Sequence, residues 1–289
     1  MALKKKVLVL GSTGMLGHQV FRTFEDDNNF IVSDISYRNK LNEGTIVLDV
    51  FNSKALEEVI VKLNPDFIIN CIGILVKSKK ADNIFLYLNA YFPHQLKNIA
   101  KSINAKLIHI SSDCVFSGTK GGYIETDIRD GQGIYAESKK LGEIIDDTNL
   151  TIRTSMIGPE LKVTGEGLFH WFMNATESIP GYQKSIWSGV STMELAKAIK
   201  WAINNHIIGL YHVTNNSSIS KHNLLLLLKK YTNKNIKIEA AAGVFADKSF
   251  KDTRLIMNYK IPSYDEMIAK MVDHVRINNA IYPHYKFDS

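Results

Sequence analysis

Along the first 110 residues, short runs of unbroken apolar character alternate with stretches whose apolar positions recur at helical spacing. Val7-Leu8-Val9-Leu10 is apolar at every position, as in a strand buried on both faces of a parallel sheet. A helix is expected from Met15 to Phe24, a second strand from Phe30 to Ser36 and a third from Thr45 to Val50. Ser53 reads as the N-cap of a helix to Leu63, because Ala55, Leu56, Val59, Ile60 and Leu63 share one face. Phe67 to Ile72 reads as a fourth strand. A long helical pattern runs from Ala81 to Ile103, with Pro93 expected to kink it. Lys106 to Ser111 and Thr151 to Ile157 read as the fifth and sixth strands. Strands alternating with helices predict βαβ units. The expected fold class is α/β, a Rossmann-type doubly wound parallel sheet with helices on both faces.

Beyond Gly158-Pro159 the rhythm changes, and aromatic and polar residues cluster in "GEGLFHWFMNATESIPGY". Helices are expected at Thr192–Asn204 and His222–Tyr231, with part of this region returning to extend the sheet. Leu224 to Leu228 is five leucines in a row, too short to span a bilayer and read as a buried helix.

Composition narrows the function classes. The 289 residues carry 35 Lys and Arg against 29 Asp and Glu, a net charge of +6. The basic residues form only short runs, such as Lys4-Lys5-Lys6 and Lys77 to Lys80, without interleaved aromatics. A nucleic-acid groove is therefore not expected, and phosphorylated small molecules are the better match. The two cysteines, Cys71 and Cys114, lack a CxxC or Cys/His partner set, so no metal site is assigned. The apolar run Val7 to Leu10 is too short for a signal segment, so a cytoplasmic protein with no membrane partner is expected.

The run Val7 to Leu10 leads directly into "GSTGMLG", which places Gly11, Gly14 and Gly17 at GxxGxxG spacing. Such a turn lets the chain leave the strand sharply, brings backbone close to a pyrophosphate and packs the following helix on the sheet. Thr13, Met15 and Leu16 fall in the same turn and count as cofactor contacts. After the second strand, Arg38 favours a 2′-phosphate and hence NADPH; Asp34 is the rival, favouring a free ribose and NADH. Asp49 and Val50 end the third strand and Cys71-Ile72-Gly73 the fourth, where a dinucleotide would pass. The expected dinucleotide-binding domain is residues 1–157 with about 187–215. A smaller C-terminal α/β substrate domain is expected at about 158–186 and 216–289.

"GIYAESKKLGE" sets Tyr135 and Lys139 one helical turn apart, on one face. A free phenol has a pKa of about 10. A neighbouring ammonium would lower it and could hydrogen-bond a ribose. "HISSDCVFSG" adds Ser111 and Ser112 at the end of the fifth strand, where parallel sheets place ligands.

These motifs, in order along nearly the whole chain, resemble the extended short-chain dehydrogenase/reductases, and within them the dTDP-4-dehydrorhamnose reductase family and related nucleotide-sugar reductases. The matching pieces are "GSTGMLG", "LDV", "INCIG", "LNAYFPHQL", "HISSDCVFSG", "YIETD", "YAESKKLGE" and "IRTSMIGP", then "GLYHVTN" and "DKSFKDTR". The resemblance implies catalytic Ser112, Tyr135 and Lys139, with Asn89 and Ser111 near the cofactor. Ser112, Asp113 and Met156 would lie near the substrate. Met156 replaces a tryptophan frequent in the family, and the proline common before the tyrosine is absent from "RDGQGIY". Trp171 and Trp187 are candidates to stack on a base or sugar and Lys184 to meet a diphosphate; core packing is the competing reading for each. The expected activity is NADPH-dependent reduction of a nucleotide-linked 4-keto-6-deoxy sugar. A nucleotide-sugar epimerase or dehydratase with tightly bound NAD, and a non-catalytic cofactor-binding subunit, are the alternatives. A homodimer is left open by the resemblance.

Overall fold

The computed structural model describes residues 3–37, 39–75, 80–254, 256 and 258–287. Seven parallel strands form its central sheet: β1 (Lys5–Leu10), β2 (Phe30–Ser36), β3 (Ile46–Val47), β4 (Phe67–Asn70), β5 (Lys106–Ile110), β6 (Leu150–Arg153) and β7 (Gly209–His212), in the spatial order β7-β6-β5-β4-β1-β2-β3. The order reverses between β1 and β4, the switch point at which open α/β sheets bind ligands. β7 is the returning segment anticipated from the sequence; it pairs with β6 through Gly209 to His212.

Alternation along each strand feeds two cores. Val7 and Val9 face one layer with Ile69, Ile108 and Ile152, against the helices Gly17–Glu25, Thr192–Asn204 and Tyr264–Ile277. Leu8 and Leu10 face the other with Ile68 and Leu107, against Ser53–Leu63 and Phe92–Ser102. Apolar residues on both faces explain why these strands read as unbroken runs.

Several boundaries differ from the sequence reading. The third strand is only Ile46–Val47, because Asp49 turns the chain by accepting a hydrogen bond from Phe51 N at 3.0 Å. The cap of the helix Ser53–Leu63 is Asn52, whose side chain accepts from Ala55 N. Pro93 does not break the long helix. A π turn, Leu86–Tyr91, precedes it, and Phe92 N donates five residues back to Tyr87 O. This shifted ladder takes up the proline's missing N–H. The expected strand Thr151–Ile157 is two strands: after Arg153 the chain leaves the sheet, and Met156–Ile157 pairs with Val190–Ser191. Of the leucine run, Leu224, Leu225 and Leu228 are buried, while Leu226 is exposed. The helix Tyr264–Ile277 was not foreseen, although Ser263 and Glu266 form a reciprocal capping box at its start. No helix among the described residues is long and apolar enough to cross a membrane.

The helix Ile134–Gly142 lies against the π turn at backbone distance. A Cβ on Gly142 would sit 1.9 Å from the Asn89 carbonyl oxygen. Gly142→Ala is expected to force these segments apart and cost about 1–3 kcal/mol, read from urea unfolding midpoints.

Candidate active site

The turn after β1 is shaped by close approach. Gly11 has φ +81°, and a Cβ there would meet Ile72 Cγ1 at 2.9 Å. Gly17 opens the helix with its Cα beside Gly11; a Cβ would fall 2.0 Å from Gly11 O. Gly14 N donates to Gly11 O at 2.9 Å, and Cys71 N donates to Leu10 O, so the turn and the end of β4 are stitched together at the switch point. The helix N-terminus brings amides without intrahelical partners to this place. Asp34 is buried inside β2 opposite Val9, and its carboxyl is pushed up by desolvation. The Ser12 and Thr45 hydroxyls hydrogen-bond that carboxyl and oppose the shift. A cradle too tight for Cβ atoms at Gly11 and Gly17, opening a helix N-terminus, fits the phosphates of a dinucleotide.

Ser112 follows β5 and caps a short turn, accepting from Cys114 N at 3.1 Å and donating to Asp113 Oδ1 at 3.1 Å. Its hydroxyl lies against the Tyr135 phenol. Gly131, in the loop before the helix, packs on this turn: its N donates to Val115 O. Gly133 (φ +88°) then starts the helix Ile134–Gly142. Phe85 meets the Tyr135 ring edge-on at 6.4 Å. Burial holds the phenol above its ordinary value, with the Cys114 and Asp113 charges in the same direction and Ser112 opposing. That is the reverse of the shift expected from Lys139. The Lys139 ammonium is buried and donates to Ile110 O at 2.7 Å. Burial pulls its pKa down to about 8, with Glu143 opposing.

Beneath these groups lies a buried charge network absent from the sequence reading. The Glu143 carboxylate ends the helix and accepts four hydrogen bonds. They come from Arg153 Nε (2.7 Å) and Nη2 (2.8 Å), Arg129 Nη1 (2.9 Å) and Ser111 Oγ (2.7 Å). The hydroxyl of Ser111, expected near the cofactor, is thereby committed to Glu143. Arg153, 1% exposed, also donates to Glu125 O at 3.0 Å and approaches His212 Nε2 at 3.3 Å. The other His212 nitrogen, Nδ1, donates to Lys251 O at 3.1 Å. The Glu125 carboxylate accepts from His212 N and from Thr253 Oγ1 (2.6 Å), tying the segment 249–254 to β7. Two signals pointed this way: Arg153 lies in an otherwise uncharged strand, and Glu143 follows Lys139 by one helical turn.

Asn89 is fully buried in the π turn. Its Oδ1 accepts from Ile74 N at 3.0 Å and its Nδ2 donates to Ser138 Oγ at 3.3 Å. It thus joins the loop after Gly73 to the tyrosine helix. Ile72 N donates to Asn70 Oδ1, and the Val50 carbonyl accepts from Tyr87 Oη. Arg38 lies outside the described residues. Met156 is partly buried beside the core, Trp171 is 39% exposed and Lys184 is exposed. Trp187 is corrected: it is buried in the core, with its ring 5.7 Å from that of Tyr264, and offers no stacking surface. His94 bonds Leu141 O and His109 bonds Asn70, as structural histidines do.

The sheet order and the glycine turn at its switch point define a Rossmann-like fold of the extended short-chain dehydrogenase/reductase type. The chain belongs to the RmlD substrate binding domain family, whose model matches residues 5–242. It is 26% identical over 234 residues to the dTDP-4-dehydrorhamnose reductase of Salmonella typhimurium, covering 77% of this chain and 76% of that one. It is 30% identical over 145 residues to methionine adenosyltransferase 2 subunit beta of Bos taurus, covering 48% of this chain and only 42% of that relative's length. The Bacillus anthracis dTDP-4-dehydrorhamnose reductase in complex with NADP superposes with a TM-score of 0.81 at 22% identity, over 94% of this chain and 99% of that one.

Arg153→Met is expected to strand the Glu143 charge and cost about 3–5 kcal/mol of stability, measured by denaturant unfolding. Burial holds His212 down to about 4, below its ordinary 6.5. The unfolded chain then binds protons that the folded one refuses. The stability from neutral His212 is therefore full above pH 6.5 and lost as pH falls toward 4. Unfolding midpoints across that window check the sign, and His212→Gln should flatten the slope.

Proposed function

We propose that the protein is a reductase that uses NADPH to reduce a 4-keto-6-deoxy sugar carried on a nucleoside diphosphate, in the manner of dTDP-4-dehydrorhamnose reductase, for cell-surface polysaccharide precursors. The observation that carries this reading is the Ser112 hydroxyl lying against the Tyr135 phenol, with Lys139 one turn along, at the same carboxyl edge of the sheet as the glycine turn. NADPH is preferred over NADH because of Arg38 in the sequence and the NADP held by the Bacillus anthracis relative.

The glycine turn would hold the cofactor pyrophosphate on its backbone amides. When bound, reduced nicotinamide supplies the hydride. Ser112 turns its single hydroxyl proton from Asp113 Oδ1 to the sugar carbonyl oxygen and sets that oxygen toward Tyr135. Burial keeps the phenol protonated through neutrality, the form a proton donor must have at the start of a reduction. Tyr135 gives its proton to the oxygen as negative charge develops there. Lys139, with a pKa of about 8, is mostly cationic at pH 7; it stabilises the phenolate left behind and holds a ribose hydroxyl.

A second reading, a cofactor-binding subunit without turnover, draws on the likeness to the beta subunit of methionine adenosyltransferase 2. The two separate on NADPH oxidation with dTDP-4-dehydrorhamnose and a panel of nucleotide-linked keto sugars. Turnover of none of them, with cofactor bound, favours the second. Tyr135→Phe should lower kcat by about 10²–10⁴-fold while leaving cofactor affinity and the unfolding midpoint near wild type. Undiminished kcat would remove Tyr135 from the chemistry.

A further inference from the structure

Beyond the helix Tyr264–Ile277, and outside the residues the family model matches, the chain makes one more turn. Tyr285 N donates to Tyr282 O at 3.1 Å, and both tyrosines are buried. Their hydroxyls point to different partners, and both partners lead to the glycine turn.

The Tyr282 hydroxyl lies 2.8 Å from His18 Nε2 and accepts from Gln19 Nε2 at 2.7 Å. His18 Nδ1 lies 2.8 Å from Gly14 O. A carbonyl only accepts, so Nδ1 carries the ring proton and Nε2 accepts from Tyr282. Burial supports this neutral form, holding His18 down to about 4. A directed chain therefore runs from Tyr282 through His18 to the Gly14 peptide, in the middle of "GSTGMLG". The Tyr285 hydroxyl accepts from Glu160 N at 3.0 Å and meets His170 Nδ1 at 3.1 Å. Glu160 Oε1 in turn accepts from Glu166 N (3.0 Å) and Gly167 N (2.6 Å). A Cβ on Gly167 would stand 3.2 Å from Met15 Sδ, so this loop rests on the same glycine turn.

We propose that the Tyr282–Tyr285 turn is a positioning element of the dinucleotide site: it fixes the Gly14 peptide and the 160–167 loop against each other and so sets the affinity for the cofactor pyrophosphate. This rests on the reading that "GSTGMLG" holds a dinucleotide. The physical ground is preorganisation. Amides that converge on one anion bind it well only if the turn carrying them is already held in place. The first turn of this helix has no side-chain cap of its own. The tail supplies the restraint that the local sequence lacks.

The test compares full-length wild type with Tyr282→Phe and Tyr285→Phe, by calorimetric titration with NADPH and NADH and by steady-state kinetics. Tyr282→Phe should raise the NADPH Kd by about tenfold, raise the cofactor KM in step and leave kcat within about twofold. Tyr285→Phe should move the same quantities in the same direction, and carries the test if Tyr282→Phe does not fold. Tyr264→Phe, which removes a buried hydroxyl bonded to Ser217 O at 2.7 Å away from the turn, should lower Tm alone. Unchanged Kd in both tail variants, despite lowered Tm, overturns the proposal and leaves the dinucleotide reading standing. Wild type that binds neither cofactor overturns both.

Discussion

The Glu143 carboxylate, sealed from solvent and met by four donors, is the contact on which the candidate site depends. Taking a carboxylate and a guanidinium out of water costs several kcal/mol per ion unless the geometry between them is good. Here it is: Arg153 bonds both oxygens, and Arg129 and Ser111 each add a bond to one of them. The three residues that supply them belong to different pieces of chain. Ser111 follows β5 directly before Ser112, Arg153 ends β6, Arg129 precedes the tyrosine helix and Glu143 ends it. One carboxylate therefore sets the distance between the serine and the helix that presents Tyr135 and Lys139. Arg153 carries the constraint outward to Glu125 and His212, and Glu125 carries it to Thr253.

The same enclosure sets the charges above it. Burial favours the neutral form of every group it surrounds, so it raises the phenol of Tyr135 and lowers the ammonium of Lys139. A protonated phenol and a mostly protonated amine are the starting forms that reduction needs. The Glu143 charge, four residues from Lys139, keeps the amine from falling further. Structural support and electrostatic tuning thus come from one side chain.

The glycine turn shows the complementary limit, in which backbone approach rather than charge dictates the residue. Gly17 and Gly142 each sit where a methyl group would strike a carbonyl oxygen at about 2 Å, at Gly11 and Asn89 respectively. Asn89 then uses its side chain to join the loop after Gly73 to the tyrosine helix. These contacts join the glycine turn, the end of β4 and the tyrosine helix.

Sheet class and the glycine turn were legible in the sequence, as was the candidate set of Ser112, Tyr135 and Lys139, because each follows from local rules. Strand runs reflect burial on both faces, the glycines follow a strand, and helical pitch puts Tyr135 and Lys139 on one face. Boundaries failed where a single hydrogen bond or a distant strand overrode the local pattern, as at Asp49, Asn52 and the break after Arg153. Trp187 read as a candidate ligand contact because composition cannot tell a stacking ring from a core ring; its contact with Tyr264 arises across 77 positions of chain. The direction of the Tyr135 shift was missed for a related reason: spacing reveals a neighbouring charge but not the depth at which both are buried. The sequence by itself determined the fold class and which side chains are candidates for the chemistry, since periodicity and motif order are local properties. The tertiary structure alone decided how Glu143 pairs, which way Tyr135 and Lys139 shift, and how Tyr282 reaches Gly14. Those depend on desolvation and on contacts between residues far apart in the chain.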